Sequence, residues 1–264
     1  MNKFATQNDI DQEFSLFAEK MIKEGLPHEL ISLFGSYYNK ILHQSSHYLY
    51  EKDIEPVSPD ELDSVQDLSG QMAEKGNMAL DQTVIIKLNG GLGTSMGTPH
   101  AKSLLKVKDD LTFLDITLQQ ASGCNKSQSA QMPLVLMNSF KTHEDTGKYL
   151  QSKGLPESKW PKMFLQHKYP KINQHDLSPA FCPENPELEW NPPGHGDLYA
   201  ALFTSGVLEE LLRQGKQYAF VSNADNLGAV VDPAILGYFV HGEHPFMMEV
   251  ARRTPADTKG GHLA

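Results

Sequence analysis

The segment that decides the fold runs from residue 84 to residue 102 and reads VIIKLNGGLGTSMGTPHAK. It starts with an apolar run of strand length, which includes Val84, Ile85 and Ile86, continues through a turn that contains four glycines, and ends at Lys102. Glycine has no Cβ, so the backbone of such a turn can come close to a ligand, and its successive N–H groups form an anion-binding concavity. We therefore predict a phosphate-binding loop after a buried strand, with the lysine as an added positive charge.

Two common phosphate-binding motifs do not fit this loop. The P-loop requires Gly-x-x-x-x-Gly-Lys-Ser/Thr, whereas Gly97 is followed by Thr98. The dinucleotide fingerprint Gly-x-Gly-x-x-Gly fails because Met96 stands where its third glycine belongs. The mismatches disfavour a P-loop kinase and an NAD-dependent enzyme. A glycine-rich hairpin without a ligand is the alternative that this segment alone leaves open.

Length and composition indicate a globular protein. The chain has 264 residues, of which 39% are apolar and 21% charged, so it can form one large or two small domains. The formal net charge of −10 argues against non-specific binding to nucleic acid or membranes. Neither a bilayer-spanning run of ~20 apolar residues nor a signal peptide is evident, and Cys124 and Cys182 form no disulfide or metal pattern. We expect a cytoplasmic protein.

The N-terminal part of the sequence has helical periodicity. Apolar residues recur at helical spacing over residues 8–44, and Gly25-Leu26-Pro27 separates two helices. A charged, proline-bearing linker follows at residues 51–59, so we place a domain boundary after residue 58. Ser58 and Glu61 then have the spacing of a capping box at a helix start.

Predicted strands and helices alternate from Thr83 onward. The strands are expected at residues 83–88, 133–137, 163–166, 218–222 and 246–251, and the helices at residues 113–121, 141–151, 196–213 and 233–241. This order predicts an α/β fold with a mixed, mainly parallel sheet, helices on both faces and the N-terminal helices in front of it. Ligands of such sheets bind at the carboxyl ends of the strands.

Three more segments at predicted strand ends carry polar groups. Gln166 offers an amide that both donates and accepts hydrogen bonds. Gly194 and His195 lie in a loop stiffened by two prolines. Asn223 and Asp225 follow a strand, where a carboxylate can hold Mg²⁺ against phosphates. Taken singly, each segment has a simpler interpretation. Gln166 could be a surface glutamine, the Gly194-His195 loop a turn, and the segment of Asn223 and Asp225 an Asx-turn without metal.

Together these motifs resemble the UTP–glucose-1-phosphate uridylyltransferase family, also called the UDP-glucose pyrophosphorylases. The resemblance rests on KLNGGLGTSMG at residues 87–97, PPGHGD at residues 192–197 and Asn-x-Asp at residues 223–225, and it extends from about residue 80 onward. It implies a Rossmann-like, GT-A-like nucleotidyltransferase fold. Residues 1–58 are then an N-terminal helical segment and linker, and residues 59–264 a nucleotide-binding catalytic domain.

The resemblance also implies a role for individual residues. The nucleotide-binding residues are expected to be Leu88, Asn89, Gly90, Gly91, Gly93, Thr94, Lys102, Gln166, Gly194, Asn223 and Asp225. The residues that bind the sugar phosphate are expected to be Gly91, His195, Lys259 and Gly260. Asp225 is the implied Mg²⁺ ligand, and Lys102 and Asp225 are the implied catalytic residues.

The reaction that the resemblance implies is transfer of the uridylyl group of UTP to glucose 1-phosphate, which gives UDP-glucose and pyrophosphate. A phosphate oxygen of the sugar attacks the α-phosphorus, and pyrophosphate leaves in line. Catalysis of this kind rests on positioning and charge neutralisation. No general base is needed, because the attacking phosphate is already anionic.

The chain ends soon after its last recognisable motif, whereas family members continue. We therefore expect a truncated form that binds UTP with little turnover, and we expect it to be a monomer. A UDP-sugar or UDP-N-acetylglucosamine pyrophosphorylase is an alternative, as is a non-catalytic UTP-binding remnant. An α/β module with a purely structural role is a further one.

Overall fold

The computed structural model describes residues 7–43, 49–93, 97, 100–128, 130–252, 254–255 and 263. The helices are α1 (Gln7–Lys23), α2 (His28–Leu42), α3 (Gly70–Ala79), α4 (Phe113–Gln128), α5 (His143–Ser152), α6 (Leu198–Thr204), α7 (Val207–Arg213) and α8 (Pro233–His241). The strands are β1 (Thr83–Asn89), β2 (Lys106–Lys108), β3 (Leu111–Thr112), β4 (Leu134–Asn138), β5 (Lys162–Leu165), β6 (Tyr169–Pro170), β7 (Trp190–Asn191) and β8 (Tyr218–Asn223). Single 3₁₀ turns lie between several of them.

The central sheet has four strands, all parallel, in the order β5-β4-β1-β8. β1 lies inside the sheet, pairing with β4 on one side and with β8 on the other. Its apolar run suits this place, because a central parallel strand is buried on both faces. The strands β2 and β3, and likewise β6 and β7, form separate antiparallel pairs. The predicted α/β fold with a mainly parallel sheet is confirmed.

Helices cover both faces of the sheet. Val84 and Ile86 of β1 point to one face, where they pack in an apolar cluster with Leu198 of α6 and Leu211 of α7. Ile85 points to the opposite face, where its cluster includes residues of α3, α4 and α8. The alternation follows from the two-residue period of a strand, and it gives each face of β1 its own core.

The N-terminal helices form a third core with the β6–β7 pair. Phe17 of α1 packs against Phe34 and Tyr38 of α2, with ring centroids 5.4 Å and 4.9 Å apart. Trp190 of β7 belongs to the same buried cluster. The two predicted helices are confirmed, whereas the domain boundary after residue 58 stays a prediction.

Two predicted elements are wrong. Residues 246–251 do not form a strand, because an apolar run becomes a strand only beside a backbone partner, and no described segment pairs with it. The single helix expected over residues 196–213 is two helices, α6 and α7. Gly206 separates them, with a left-handed backbone at φ +75° that no helix can continue through.

Two elements differ from the expectation at the linker. Ser58 donates its backbone N–H to Glu61 at 2.8 Å, which is half of the predicted capping box, but the helix is one 3₁₀ turn. The helix α3 was not predicted, since its sequence has few apolar residues. It forms because it packs closely on α8.

The contact between α3 and α8 depends on two glycines. A Cβ on Gly76 would lie 1.7 Å from the carbonyl oxygen of Pro233, and a Cβ on Gly237 would lie 1.8 Å from the carbonyl oxygen of Met72. Both obstacles are backbone atoms, so no side-chain movement could make room. The two helices can therefore approach this closely only because neither residue has a side chain.

We expect Gly76→Ala to destabilise the protein by about 3 kcal/mol or more, because the added methyl group forces the helices apart. The control is Gly147→Ala in α5, where the nearest atom to the new Cβ is 4.0 Å away in the ring of Trp160. That variant should be as stable as wild type or more stable by up to about 1 kcal/mol, since alanine favours helix. Urea unfolding followed by circular dichroism measures both, and equal stability of the two variants would contradict the close contact.

The start of α4 is held by a buried carboxylate. Thr112 donates its backbone N–H to Asp115 at 2.9 Å, and Asp115 donates its own to the Thr112 hydroxyl at 3.1 Å, which is a capping box. Tyr149 and Lys153 donate to the same carboxylate at 2.5 Å and 3.1 Å. Burial alone would raise the pKa of Asp115, but these hydrogen bonds outweigh it and hold the pKa below its usual value.

We expect Asp115→Asn to lower the free energy of unfolding at pH 7 by about 1–3 kcal/mol, because hydrogen bonds to a charged acceptor are lost. A folded-state pKa below the unfolded one means that the carboxylate stabilises above pH ~4 and loses its effect as the pH falls below it. The difference in the free energy of unfolding between variant and wild type should therefore become smaller at acidic pH. Urea titrations between neutral and acidic pH test this, with Asp110→Asn at the exposed Lys106 pair as the control that should unfold like wild type.

Candidate functional site

The carboxyl ends of the four parallel strands meet at one edge of the sheet. The glycine loop leaves β1 at Gly90. Gln166, just after β5, donates its backbone N–H to the carbonyl of Asn138 at the end of β4 at 2.7 Å. Ala224, just after β8, donates to the carbonyl of Leu88 at 3.0 Å. The segments predicted at strand ends are therefore brought together as expected.

The glycine loop folds back on itself. Lys102 donates its backbone N–H to the carbonyl of Gly91 at 2.9 Å, and Gly93 donates to the carbonyl of His100 at 2.9 Å. The base of the loop is thus a short antiparallel contact that returns Lys102 to the end of β1. Thr94 lies outside the described residues. The glycine spacing did not reveal this return, which decides where the lysine lies.

Lys102 forms an ion pair with Asp225. The side chains are 33% and 27% exposed, so the pair is accessible from solvent at the mouth of the loop. Asp225 lies in a turn after β8, in which Asn226 donates its N–H to the carbonyl of Asn223 at 3.1 Å. The two residues that the resemblance assigns to catalysis are therefore in direct contact, and each is the other's counter-ion.

Gln166 connects the glycine loop to the loop at residue 194. Its side chain is nearly buried, and its amide nitrogen donates to the carbonyl of Gly194 at 2.5 Å. Its amide oxygen lies so close to Gly90 that a Cβ there would be 2.9 Å away. Gly194 has φ +103° and ψ −179°, a conformation that is essentially restricted to glycine. One N–H of the Gln166 amide is engaged in this way, and no hydrogen bond from the other N–H is found among the described residues.

The remaining predicted residues differ in exposure. Gly91, His195 and Asn223 are exposed at this edge. Leu88 is partly buried and packs on the core between the sheet, α6 and α7. Asn89 is buried, and its amide donates to the side chains of Asn138 and Thr146. Lys259 and Gly260 lie outside the described residues.

A buried polar layer behind the glycine loop was missed in the sequence. The Asn89 amide donates to the side chain of Asn138 at 2.7 Å, and the Thr142 hydroxyl donates to the carbonyl of Asn89 at 2.7 Å. The Ser139 hydroxyl donates to the carbonyl of Gly90 at 2.9 Å. The signal was present, because Asn138 and Ser139 follow an apolar strand just as Asn223 does. This layer supports the first residues of the loop from below.

Asp197 joins the segment after β5 to the loop of His195. Its carboxylate accepts the backbone N–H of His167 at 2.7 Å and lies 2.9 Å from the Nδ1 atom of that ring. The Nε2 atom of His167 lies 2.8 Å from the Thr204 hydroxyl. Asp197 is also the residue before α6, but its side chain makes no capping hydrogen bond to that helix. Burial, with the charge of Asp197, raises the pKa of Tyr169, which therefore keeps its proton.

The donor set at this edge fits a hard divalent cation held mainly by a substrate. Within the described ranges, no group of three or more His, Cys, Asp or Glu side chains could hold a metal ion. Asp225 provides one carboxylate beside the glycine loop. Mg²⁺ commonly takes one or two protein carboxylates and completes its shell with phosphate oxygens and water, so the single carboxylate is compatible with it.

Comparison with known proteins gives a consistent result. The family model for UTP–glucose-1-phosphate uridylyltransferase matches residues 31–264. The enzyme of that name from Solanum tuberosum is 43% identical over 202 residues, which are 76% of this chain and 42% of the relative. UTP–glucose-1-phosphate uridylyltransferase 2 from Dictyostelium discoideum is 41% identical over 213 residues, which are 80% of this chain and 42% of the relative.

Solved structures show the same similarity in three dimensions. A mutant UDP-glucose pyrophosphorylase from Leishmania major, in complex with UDP-glucose, matches with a TM-score of 0.84 at 38% identity, covering 94% of this chain and 51% of that one. UDP-glucose phosphorylase from Trypanosoma brucei matches with a TM-score of 0.87 at 39% identity, covering 96% and 53%. The chain thus spans about half the length of these solved structures or slightly more, and 42% of the two curated relatives.

Proposed function

Because this chain belongs to the UTP–glucose-1-phosphate uridylyltransferase family, we propose that the protein transfers the uridylyl group of UTP to glucose 1-phosphate, giving UDP-glucose and pyrophosphate. The observation that carries the proposal is the ion pair of Lys102 and Asp225 at the mouth of the glycine loop. A triphosphate with a divalent metal would offer an anion to the lysine and a cation to the aspartate. A pair of opposite charges placed beside a glycine loop suits that ligand.

Gly91 supports the placement of the phosphates. A Cβ at this position would meet nothing within 4 Å, and its φ is not positive. Neither packing within the described residues nor backbone conformation therefore requires glycine there. A ligand that lies directly against the backbone accounts for it. Gly93 contributes differently, because its N–H is already bonded to His100.

Mg²⁺ is the metal that we propose, with Asp225 as its ligand. When bound, it neutralises charge on the phosphate oxygens of the reacting nucleotide. Lys102 then turns from the aspartate to the phosphates that leave as pyrophosphate. Both groups stay within reach of the glycine loop, since the loop and the Asp225 turn follow neighbouring strands.

The other residues orient the two substrates. The second N–H and the oxygen of the Gln166 amide suit the uracil edge, and Gly194 supports the nucleotide from the opposite loop. His195 is exposed beside it and suits the sugar phosphate, with Lys259 and Gly260 as further contacts in the same proposal. A phosphate oxygen of glucose 1-phosphate then attacks the α-phosphorus. The protein contributes by holding the reactants in line, since the nucleophile needs no base.

The setting that we propose is the cytoplasm. Cys182 is a free thiol, which fits a reducing compartment. Among the helices that the structure describes, none is both long and apolar enough to cross a membrane. We also propose residues 59–264 as the catalytic part and residues 1–58 as a separate N-terminal segment.

We expect Gly91→Val to weaken UTP binding by about 100-fold, because its side chain would occupy the space of the phosphates, which costs a few kcal/mol. Isothermal titration calorimetry with UTP and MgCl₂ measures this. The control is Gly70→Val at the start of α3, where a Cβ also meets nothing within 4 Å. UTP binding by Gly91→Val at the wild-type level would refute the phosphate site. An assay of pyrophosphate release with glucose 1-phosphate and with N-acetylglucosamine 1-phosphate shows which of the two sugar phosphates is the substrate.

We expect Asp225→Asn to bind UTP several-fold more tightly than wild type when no metal is present. The reason is that Asp225 competes with the phosphates for the Lys102 ammonium, and a partly exposed pair is worth about 0–1 kcal/mol. With MgCl₂, wild type should bind UTP more tightly than the variant, because the variant has lost its metal ligand. Calorimetric titrations with EDTA or MgCl₂ test both signs, and Asp110→Asn is the matched control. Weaker metal-free binding by Asp225→Asn would contradict the competition.

A further inference from the structure

Lys87 is a buried lysine to which the reaction assigns no role. It lies in β1, and the residue is only 3% exposed. Its ammonium donates to the Ser222 hydroxyl at 2.7 Å and to the carbonyl of Ala229 at 2.9 Å, and it lies 5.9 Å from the centre of the Phe220 ring. None of the ion pairs among the described residues includes it. Burial lowers the pKa of Lys87, as expected for an ammonium whose charge is not compensated.

The two acceptors of Lys87 lie on either side of the turn that carries Asp225. Ser222 is directly opposite Lys87 in the register of β1 and β8. Ala229 comes after the turn, so residues 223–228, which we call the Asp225 loop, are enclosed between the two hydrogen bonds. One side chain therefore joins both ends of this loop to β1.

Besides the ion pair of Asp225 with Lys102, the described residues attach the Asp225 loop at few other points. Gln120 of α4 donates its amide to the carbonyl of Leu227 at 2.9 Å, and Ala224 donates its N–H to Leu88 at 3.0 Å. The second of these bonds also goes to β1. The strand that leads into the glycine loop thus also sets the position of the loop that follows β8.

Burying a lysine costs desolvation free energy that an apolar residue would not cost. Its presence in a core therefore indicates that its hydrogen bonds have a role that an apolar residue could not fill. If packing were the only requirement, a methionine of similar length would fill the same space without a charge to desolvate. What the ammonium adds is a fixed distance between β1 and both ends of the Asp225 loop. The phosphates lie on one of these segments and the metal ligand on the other.

We propose that Lys87 is a positioning residue that holds the Asp225 loop where its carboxylate can bind a divalent cation against phosphates on the glycine loop. The inference rests on the proposed function. Groups that orient a metal ligand without touching the metal typically change its affinity by about 10–100-fold when they are removed. Lys87 acts in this way, through the loop and not through contact with substrate.

The test is the effect of metal on UTP affinity. Isothermal titration calorimetry gives the UTP affinity with MgCl₂ and with EDTA, and their ratio is the metal enhancement. In Lys87→Met, we expect the enhancement to fall about tenfold or more, with metal-free affinity within about twofold of wild type. Ser222→Ala, which keeps the ammonium and one acceptor, should show a smaller fall and covers the case in which Lys87→Met does not fold.

Lys216→Met is the matched control. Lys216 is partly buried, and its ammonium also donates to two acceptors, the carbonyls of Asp81 and Gln131 at 2.6 Å and 2.8 Å. It joins the segments that lead into β1, β4 and β8, at the edge of the sheet away from the site. This variant should keep the wild-type metal enhancement, whatever its effect on the unfolding temperature.

A double variant separates positioning from general stability. In an Asp225→Asn background, Lys87→Met should leave the UTP affinity unchanged, because the residue acts only through Asp225. A normal enhancement in Lys87→Met, or a parallel loss of affinity with and without metal, would overturn the inference and leave the proposed function standing. Absence of UTP binding by the wild-type protein would instead overturn the proposed function, and the inference with it.

Discussion

The parallel pairing of β1 with β4 on one side and with β8 on the other determines where the glycine loop, Gln166 and the Asp225 loop lie. Parallel strands end at the same edge of a sheet, so the loops that follow them must meet there. The register puts Leu88 opposite Asn223 and Asn89 opposite Asn138. The glycine loop, the Asp225 loop and Gln166 are neighbours for this reason, although long stretches of sequence separate them.

Two lysines of the same motif experience different surroundings. Lys102 is partly exposed and has a carboxylate as its counter-ion. Lys87 is buried and has only neutral oxygen acceptors among the described residues. The first is therefore able to exchange its partner for a ligand at little expense, whereas moving the second would break hydrogen bonds that no water could replace. An exchangeable charge beside a fixed scaffold is the arrangement that binding and releasing a charged substrate requires.

The sequence predicted the central part of the fold well, because there local pattern and tertiary environment agree. The apolar run of β1 and the periodicity of α1, α2 and α8 are strong signals, and these elements formed as expected. The prediction failed where an element depends on a partner. The run at residues 246–251 has no described strand beside it, and α3 exists because Gly76 allows α8 to approach. Gly206 was predicted to lie inside a helix because the presence of one glycine in a sequence does not specify its φ angle.

The sequence by itself determined which chemical groups are present and which strand each one follows, since glycines, amides and carboxylates after apolar runs are visible without coordinates of any kind. It placed Lys102, Gln166, Gly194 and Asp225 at the edge of the sheet. Only the tertiary structure decided which of them touch. The ion pair of Lys102 with Asp225 and the bond from Gln166 to Gly194 join separate loops, and their distances depend on sheet register and on the return of the glycine loop. Residue spacing along the chain carries no information about such distances.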